Sequence, residues 1–226
     1  MIGVLRRLHR ILRRIPFLGT GINHGLRLCR NLFWSHRPIS GEAASPLPEE
    51  YLNFVAKHLA GDSFPFTLVE VGCGDGRVLR KLAVLFPNAT FFGIDLQKAA
   101  IKKGMEELAR QKIGNVQLAI ASCLESISLE CDFMISRASI IYLDRHELNV
   151  FLRKRLPEIR QKLLMHEIIS LTSQTQFTHF FAHPIPELVR ANGNDLFDSH
   201  VKLLSYGPWK NGSIWSGAEL VFTRKI

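Results

Sequence analysis

Acidic side chains are missing from the first 41 residues, and so is lysine. The eight arginines of that stretch (Arg6, Arg7, Arg10, Arg13, Arg14, Arg27, Arg30 and Arg37) hold nearly all of the chain's net charge of +9. Residues 42–226 carry 21 basic against 20 acidic side chains. The basic character therefore belongs to a leader and not to the body. This weakens a nucleic-acid reading, because such enzymes usually carry their basic patch on the body that holds the substrate. Long apolar runs are missing too. Each is soon broken by a charge, and none approaches the ~20 residues a membrane-spanning helix needs. Cysteine is scarce and unpatterned: Cys29, Cys73, Cys123 and Cys131 form no C-x-x-C pair, which points to free thiols in a reducing compartment. Repeats and low-complexity tracts are not evident.

The 226 residues suit one α/β domain with an appendage, or two small domains, and an apolar fraction of 46% can supply a full core. The appendage is residues 1–36. At about 100° per residue, Val4, Leu5, Leu8, Ile11, Leu12 and Ile15 share one arc of a helix, with Arg6, Arg7, Arg10, Arg13 and Arg14 opposite. Pro16, Gly19 and Gly21 break that pattern, and a second basic-apolar stretch ends in Leu32, Phe33 and Trp34. Residues 37–48, rich in Pro, Ser, Gly and Ala, read as a linker. An acid-free amphipathic leader fits an anionic membrane surface, with the protein peripheral on the cytoplasmic side. It also fits an import signal for the mitochondrial matrix. Packing of two helices on the domain is the third reading.

From residue 49 the chain alternates. Helical spacing covers Glu49 to Leu59, Gly76 to Phe86, Lys98 to Lys112 and Asp144 to Leu156, the last opened by the capping-box pattern Asp144-x-x-Glu147. Apolar strands read at Phe66 to Val71, Thr90 to Leu96, Val116 to Ala121, Phe133 to Ser136 and Leu163 to Ser170. Alternation of this kind implies right-handed crossovers and a parallel sheet. The end breaks the rhythm, because His200 to Tyr206 and Ala218 to Arg224 are two β-rich runs that should pair antiparallel. The expectation is a seven-stranded α/β sheet, parallel except for the strand near Ala218–Arg224, with helices on both faces.

The chemistry concentrates at Val69-Glu70-Val71-Gly72-Cys73-Gly74-Asp75-Gly76-Arg77, a buried strand that runs into a glycine-rich turn and then a helix. Glycine allows the tight turn and the close approach of a ligand. The spacing is G-x-G-x-G with an acid two residues before the first glycine, whereas a dinucleotide site more often shows G-x-G-x-x-G facing a pyrophosphate. An acid beside the turn favours a cationic ligand over a phosphate. Asp95 stands at the C-terminal end of the next strand, where a carboxylate can accept both hydroxyls of a ribose.

The two runs E-V-G-C-G-D-G-R and P-N-A-T-F-F-G-I-D-L resemble the class I S-adenosylmethionine-dependent methyltransferases, over roughly residues 49–226. The resemblance implies a Rossmann-like domain that takes S-adenosyl-L-methionine as cofactor. It implies that Glu70, Gly72, Cys73, Gly74 and Gly76 line the methionine side, that Asp95 binds the ribose, and that Leu96 flanks the adenine. It places Ser122 and Cys123 at the adenine and Ser136 and Arg137 between methyl group and acceptor. Two positions depart from the family: Ser122 stands where an acid often does, and Arg160-Gln161-Lys162 replaces a glycine pair before the fifth strand.

Methyl transfer from a sulfonium is an in-line displacement in which positioning supplies much of the rate, and a general base helps only if the acceptor must lose a proton. Candidates for that base are Tyr142, His166 and Glu167, each of which reads first as a structural residue. His179 and His183 have a spacing that suits metal, but no third ligand accompanies them, so no metal is expected. There is no N/D-P-P-Y pattern, which argues against the adenine- and amide-modifying branches. The acceptor classes that remain are a small molecule, a lipid or a protein, with transfer at a membrane surface through residues 1–36. An RNA acceptor is the alternative, because F-P-N-A-T-F-F-G-I-D is similar to a segment of the tRNA guanine-N7 enzymes. A non-catalytic binding or assembly protein of the same fold is the third.

Overall fold

Strand residues alternate between the two faces of a sheet, and in this chain both faces are largely apolar. The computed structural model describes residues 49–59, 65–125, 128, 130–170, 181–193, 195–204 and 215–225. The expected leader, the linker, His179 and Tyr206 lie outside the described residues. The described elements are, in order, α1 (Glu49–Leu59), β1 (Thr67–Val71), α2 (Arg77–Leu85), β2 (Thr90–Asp95), α3 (Lys98–Gln111), β3 (Val116–Ile120) and β4 (Cys131–Arg137). They continue with a 3-10 turn (Ile140–Tyr142), α4 (Arg145–Arg155), a second 3-10 turn (Leu156–Glu158), β5 (Ile159–Ser170), α5 (Ile185–Gly193), β6 (Phe197–Leu203) and β7 (Trp215–Arg224).

Seven strands form one sheet in the order β3-β2-β1-β4-β5-β7-β6. Strands β1 to β5 are mutually parallel, and β7 runs antiparallel to both of its neighbours, β5 and β6. The strand near Ala218–Arg224 is therefore the reversed one, as expected. Its register with β5 runs from Lys162↔Thr223 to Ser170↔Trp215.

Alternation sorts the core. Leu68, Phe91, Phe133, Ile135 and Leu164 pack under α1, α2 and α3, against Val55, Leu59, Leu79, Leu82 and Ile101. Val69, Val71, Met134, Leu163 and Met165 pack on the other face, against Leu148, Phe151 and Leu152 of α4 and Leu188 and Val189 of α5. Helix α4 starts as expected: Asp144 accepts from the Glu147 amide and the Glu147 carboxylate accepts from the Asp144 amide, each at 2.9 Å. These bonds satisfy two amides that the first turn leaves without helical partners.

Three expectations change. Arg160-Gln161-Lys162 is not an approach to the fifth strand but part of it, since β5 begins at Ile159. Strand β6 begins three residues before the expected His200, at Phe197. It is an edge strand, exposed from Asp198 to Leu203, so no alternation marks its start. Helix α5 was not anticipated, although Ile185, Leu188 and Val189 have helical spacing and Pro186 sits in the first turn, where proline is tolerated.

The packing of α3 predicts a sign. A methyl group built on Gly104 would lie 2.5 Å from the carbonyl oxygen of Asp75 and 2.6 Å from Leu118 Cδ1. Alanine raises helix propensity by about 1 kcal/mol. Pushing α3 off the backbone of the glycine turn costs about 1–3 kcal/mol, and a backbone carbonyl cannot swing aside. Gly104→Ala should lower the unfolding free energy by about 1 kcal/mol net in a urea titration. A stabilised variant would show that the helix retreats without cost.

Candidate functional site

The strand order turns back between β1 and β4, so the loops that follow these two strands leave in different directions. The crevice between them, at the C-terminal strand ends, is where open parallel sheets bind ligands. The turn after β1 occupies it. Gly72, Gly74 and Gly76 have φ of 72°, 57° and 67°, the left-handed region that side chains other than glycine avoid. The amides of Gly72 and Cys73 both donate to the Ile94 carbonyl, at 2.8 and 3.1 Å, and pull the turn against β2.

Asp95 closes this arrangement. Its Oδ2 accepts from the Gly74 amide at 2.8 Å and its Oδ1 from the Gln97 amide at 2.8 Å. Each oxygen keeps a lone pair for an outside donor. Leu96, partly exposed, follows it. A methyl group built on Gly72 would meet Ser139 Oγ at 1.8 Å, and one on Gly76 would meet Leu118 at 2.9 Å, but one on Gly74 would meet nothing within 4 Å. The turn is walled on two sides and open above Gly74.

Glu70 lies at the end of β1, buried, and its Oε2 has no hydrogen-bond partner among the described residues. Burial pushes its carboxyl well above the usual range, Asp95 and Asp75 add to this, and the Arg137 guanidinium opposes it. A buried carboxylate oxygen without a donor, beside an open glycine turn, fits a cationic amino group. The thiol of Cys73 points down onto β2, since a methyl group on Gly93 would meet its Sγ at 2.7 Å. Burial raises this thiol's pKa well above its ordinary value, so it is a packing group and not a nucleophile.

Beyond β3, the Ser122 amide donates to Glu125 Oε1 at 2.9 Å and Ser122 Oγ accepts from the Leu124 amide at 3.2 Å. An acid is thus near the position where the family often has one, but it holds the loop's own backbone. Cys123 offers its carbonyl to the fully buried Arg155 of α4, which donates to it from Nε at 3.1 Å and Nη2 at 2.9 Å. Arg155 also bonds Glu125 O at 3.0 Å and pairs with Glu158 at 2.8 Å. It fixes the shape of this loop. Nothing in the linear sequence separates Arg155 from the solvated arginines near it.

Ser136 and Glu167 meet inside the other face. Glu167 Oε1 accepts from Ser136 Oγ at 2.9 Å, the Ser139 amide at 3.1 Å and the Ile140 amide at 3.4 Å. These bonds hold the turn after β4, where Ala138 takes a φ of 49°. Burial lifts the Glu167 carboxyl to about 7, against the lowering effect of those bonds. Arg137 and His166 pair across β4 and β5 and project to the α1 face. His166 is buried, and desolvation with the nearby Arg137 and Lys202 charges lowers its pKa to about 4. Tyr142 is partly exposed in the 3-10 turn. His183 gives its Nε2 to the Leu143 carbonyl at 2.9 Å, and burial lowers its pKa.

Residues 66–176 match a family described as a methyltransferase domain. The chain is similar to the tRNA (guanine-N(7)-)-methyltransferase of Geobacillus thermodenitrificans, with 27% identity over 124 residues, 52% of this chain and 57% of that protein. It spans less than two thirds of the length of the curated relatives it matches. A geranyl diphosphate C-methyltransferase from Streptomyces coelicolor, solved with Mg2+, geranyl-S-thiolodiphosphate and S-adenosyl-L-homocysteine, superposes with a TM-score of 0.65 at 15% identity, covering 78% of this chain and 76% of that one. Phosphoethanolamine N-methyltransferase 2 of Haemonchus contortus, solved with S-adenosyl-L-methionine, gives 0.65 at 12% identity, over 80% of this chain and 53% of that one. At these identities the two structures establish the fold.

The Glu167 carboxyl predicts a pH dependence. Its folded pKa of about 7 exceeds the ordinary 4.5, so the folded state holds this proton more tightly than the unfolded one. The stabilising contribution is complete below about pH 4.5 and is lost as pH rises through about 7, a change of roughly 3 kcal/mol. In Glu167→Gln, whose side-chain oxygen can still accept the three bonds, that part of the dependence should vanish. Parallel wild-type and variant stability curves over this range would contradict the assignment.

Proposed function

We propose, from the match of residues 66–176 to a methyltransferase domain and the strand order of the sheet, that this chain holds S-adenosylmethionine across the ends of β1 and β2 and passes its methyl group to an acceptor beside β4 and β5. The observation that carries this reading is the buried, unpartnered Glu70 Oε2 next to the open left-handed turn at Gly74, with the Asp95 carboxylate 2.8 Å from the same turn's amide. When bound, the cofactor supplies a methyl group on a cationic sulfonium, which a nucleophilic atom takes while the C–S electron pair stays on sulfur, leaving S-adenosylhomocysteine. Glu70 receives the ligand's cationic amino group. Asp95 accepts from the ribose hydroxyls while it holds the turn. Ser122 and Cys123, shaped by Arg155, form the adenine wall with Leu96. Ser136 and Glu167 hold the turn after β4, and Arg137 and His166 stand on the acceptor side.

The acceptor of this reading is a small molecule, a lipid or a protein, met at an anionic membrane surface to which the arginine-rich leader attaches. A second reading, an RNA acceptor, is supported by the similarity to the tRNA guanine-N7 enzyme over 124 residues. The segment after β4 reads Ala138-Ser139-Ile140-Ile141-Tyr142, which lacks the basic, tryptophan-containing motif of those enzymes and counts against it. Transfer of labelled methyl into total RNA, compared with lipid and metabolite extracts, separates the two.

The cofactor assignment predicts calorimetric binding of S-adenosylmethionine and S-adenosylhomocysteine, and none of NAD. Asp95→Ala should weaken both cofactor forms by about 1–3 kcal/mol, the scale of a lost buried polar partner. Binding of NAD, or an unchanged affinity in the variant, defeats the assignment. The membrane reading predicts that the full chain floats with anionic liposomes at low salt and that a chain beginning at Gly41 does not. If both remain in the soluble fraction, attachment by the leader is wrong.

A further inference from the structure

Three polar side chains at the strand ends share the α1 face of the sheet. Glu70 lies two residues after Leu68, Arg137 two after Ile135 and His166 two after Leu164, and each of those apolar residues packs on the α1 side. The register continues the row: Arg137 opposes His166, His166 opposes Glu219, and Glu219 opposes Lys202, with which it pairs at 2.9 Å. The row starts at the buried strand ends beside the cofactor turn. It leads across β5 and β7 to the exposed edge strand β6, where Lys202 is largely in solvent.

Tyr51 of α1 caps the buried end of this row. It is fully buried, its ring lies 5.4 Å from that of His166, centroid to centroid, and the Arg137 guanidinium carbon lies 5.8 Å from the ring centre. Its hydroxyl has no hydrogen-bond partner among the described residues. Leaving such a group buried forfeits its hydration with no hydrogen bond in return. A phenylalanine would fill the same core position without that cost. Burial raises the phenol's pKa well above its ordinary value, the Glu70 and Glu167 carboxylates add to this, and Arg137 opposes it. At neutral pH Tyr51 is therefore an un-ionised phenol that can donate one hydrogen bond and accept another.

We propose that Tyr51 is an acceptor-side residue of the methyl-transfer site, its hydroxyl hydrogen-bonding the nucleophilic nitrogen or oxygen that takes the methyl group. The proposal rests on the methyltransferase reading above. It makes α1 the roof of the transfer site and not only a cover for the core. The hydroxyl orients the accepting lone pair and takes no part in the bond exchange, which leaves the C–S pair on sulfur.

The test needs no knowledge of the acceptor. Sinefungin carries a primary amine where the cofactor carries its sulfonium methyl, so it reports on groups around the transfer point, whereas S-adenosylhomocysteine carries nothing there. Both are titrated calorimetrically into the full chain and into Tyr51→Phe. The variant should melt no lower than wild type, bind S-adenosylhomocysteine equally well, and bind sinefungin about tenfold more weakly, the scale of one hydrogen bond to a charged group. Equal sinefungin affinities overturn the proposal, and so does an equal loss for both ligands, which would make Tyr51 a cofactor or packing residue. If wild type binds neither ligand, the methyltransferase reading itself fails. Should Tyr51→Phe not fold, 3-fluorotyrosine at position 51 keeps the ring and acidifies the hydroxyl. A changed sinefungin affinity with S-adenosylhomocysteine unaffected supports the role, and no change refutes it.

Discussion

The hydrogen bond from the Gly74 amide to Asp95 joins the ends of β1 and β2 at 2.8 Å, and much of the site depends on it. A turn with three left-handed glycines has little side-chain packing to hold its shape, and glycine loses more backbone entropy on ordering than any other residue. The constraint comes from β2 instead: the Ile94 carbonyl takes two amides of the turn and the Asp95 carboxylate takes a third. That places the Asp75 carbonyl against Gly104 of α3, and Gly76 against Leu118 of β3. Cofactor turn, second strand and third helix are one mechanical unit. Asp95 serves this unit through its bonds to the Gly74 and Gln97 amides, so in the proposed reading its side chain has a structural and a binding role at once.

Alternation along the strands divides the remaining labour. Ser136 and Glu167 point to the α4 face, where one carboxylate oxygen takes three donors and fixes a turn that contains a left-handed alanine. Arg137 and His166, their chain neighbours, point to the α1 face and are not consumed by that task. A one-residue change of register between β4 and β5 would exchange the two sets. The extensive pairing of β5 with β7, from Lys162 to Ser170, resists such a slip. The antiparallel strand thus fixes the register on which the placement of these side chains depends.

The sequence makes some of this legible. The tight turn at Gly72, Gly74 and Gly76 and the strand-end position of Asp95 can be read because a left-handed turn demands glycine and an apolar run marks where its strand stops, and both signals are local. The reversed last strand can be read because no helix separates two β-rich runs. Tyr51 and Arg155 cannot be read in the same way. Tyr51 falls on the apolar stripe of α1 with Phe54, Val55 and Leu59, and only the strand ends beneath it distinguish a phenol from another core aromatic. Arg155 closes a short basic run, and its burial follows from carbonyls at Cys123 and Glu125, some 30 residues earlier in the chain. The start of β6 is hidden for a related reason: a strand paired on one edge and exposed along most of its length carries no hydrophobic alternation.

The orphaned atoms make a final physical point. Glu70 Oε2, Glu167 Oε2 and the Tyr51 hydroxyl are buried with no hydrogen-bond partner among the described residues. Each costs on the order of 1–3 kcal/mol, against a typical total stability of about 5–15 kcal/mol for a domain. Other buried polar groups here, such as Arg155 and Glu147, are well supplied with partners, so the fold can satisfy such groups where structure alone is at stake. Glu70 and Tyr51 lie on the α1 side of the sheet, Glu70 two residues before the open turn. A ligand that brings a donor to each restores the lost bonds in addition to its own contacts, and it stabilises the folded chain by about 2.7 kcal/mol at a hundred times its dissociation constant. In the proposed reading, the cost of these buried groups and the affinity for a polar, partly cationic ligand have the same origin: hydrogen-bonding groups that the fold buries and a ligand completes.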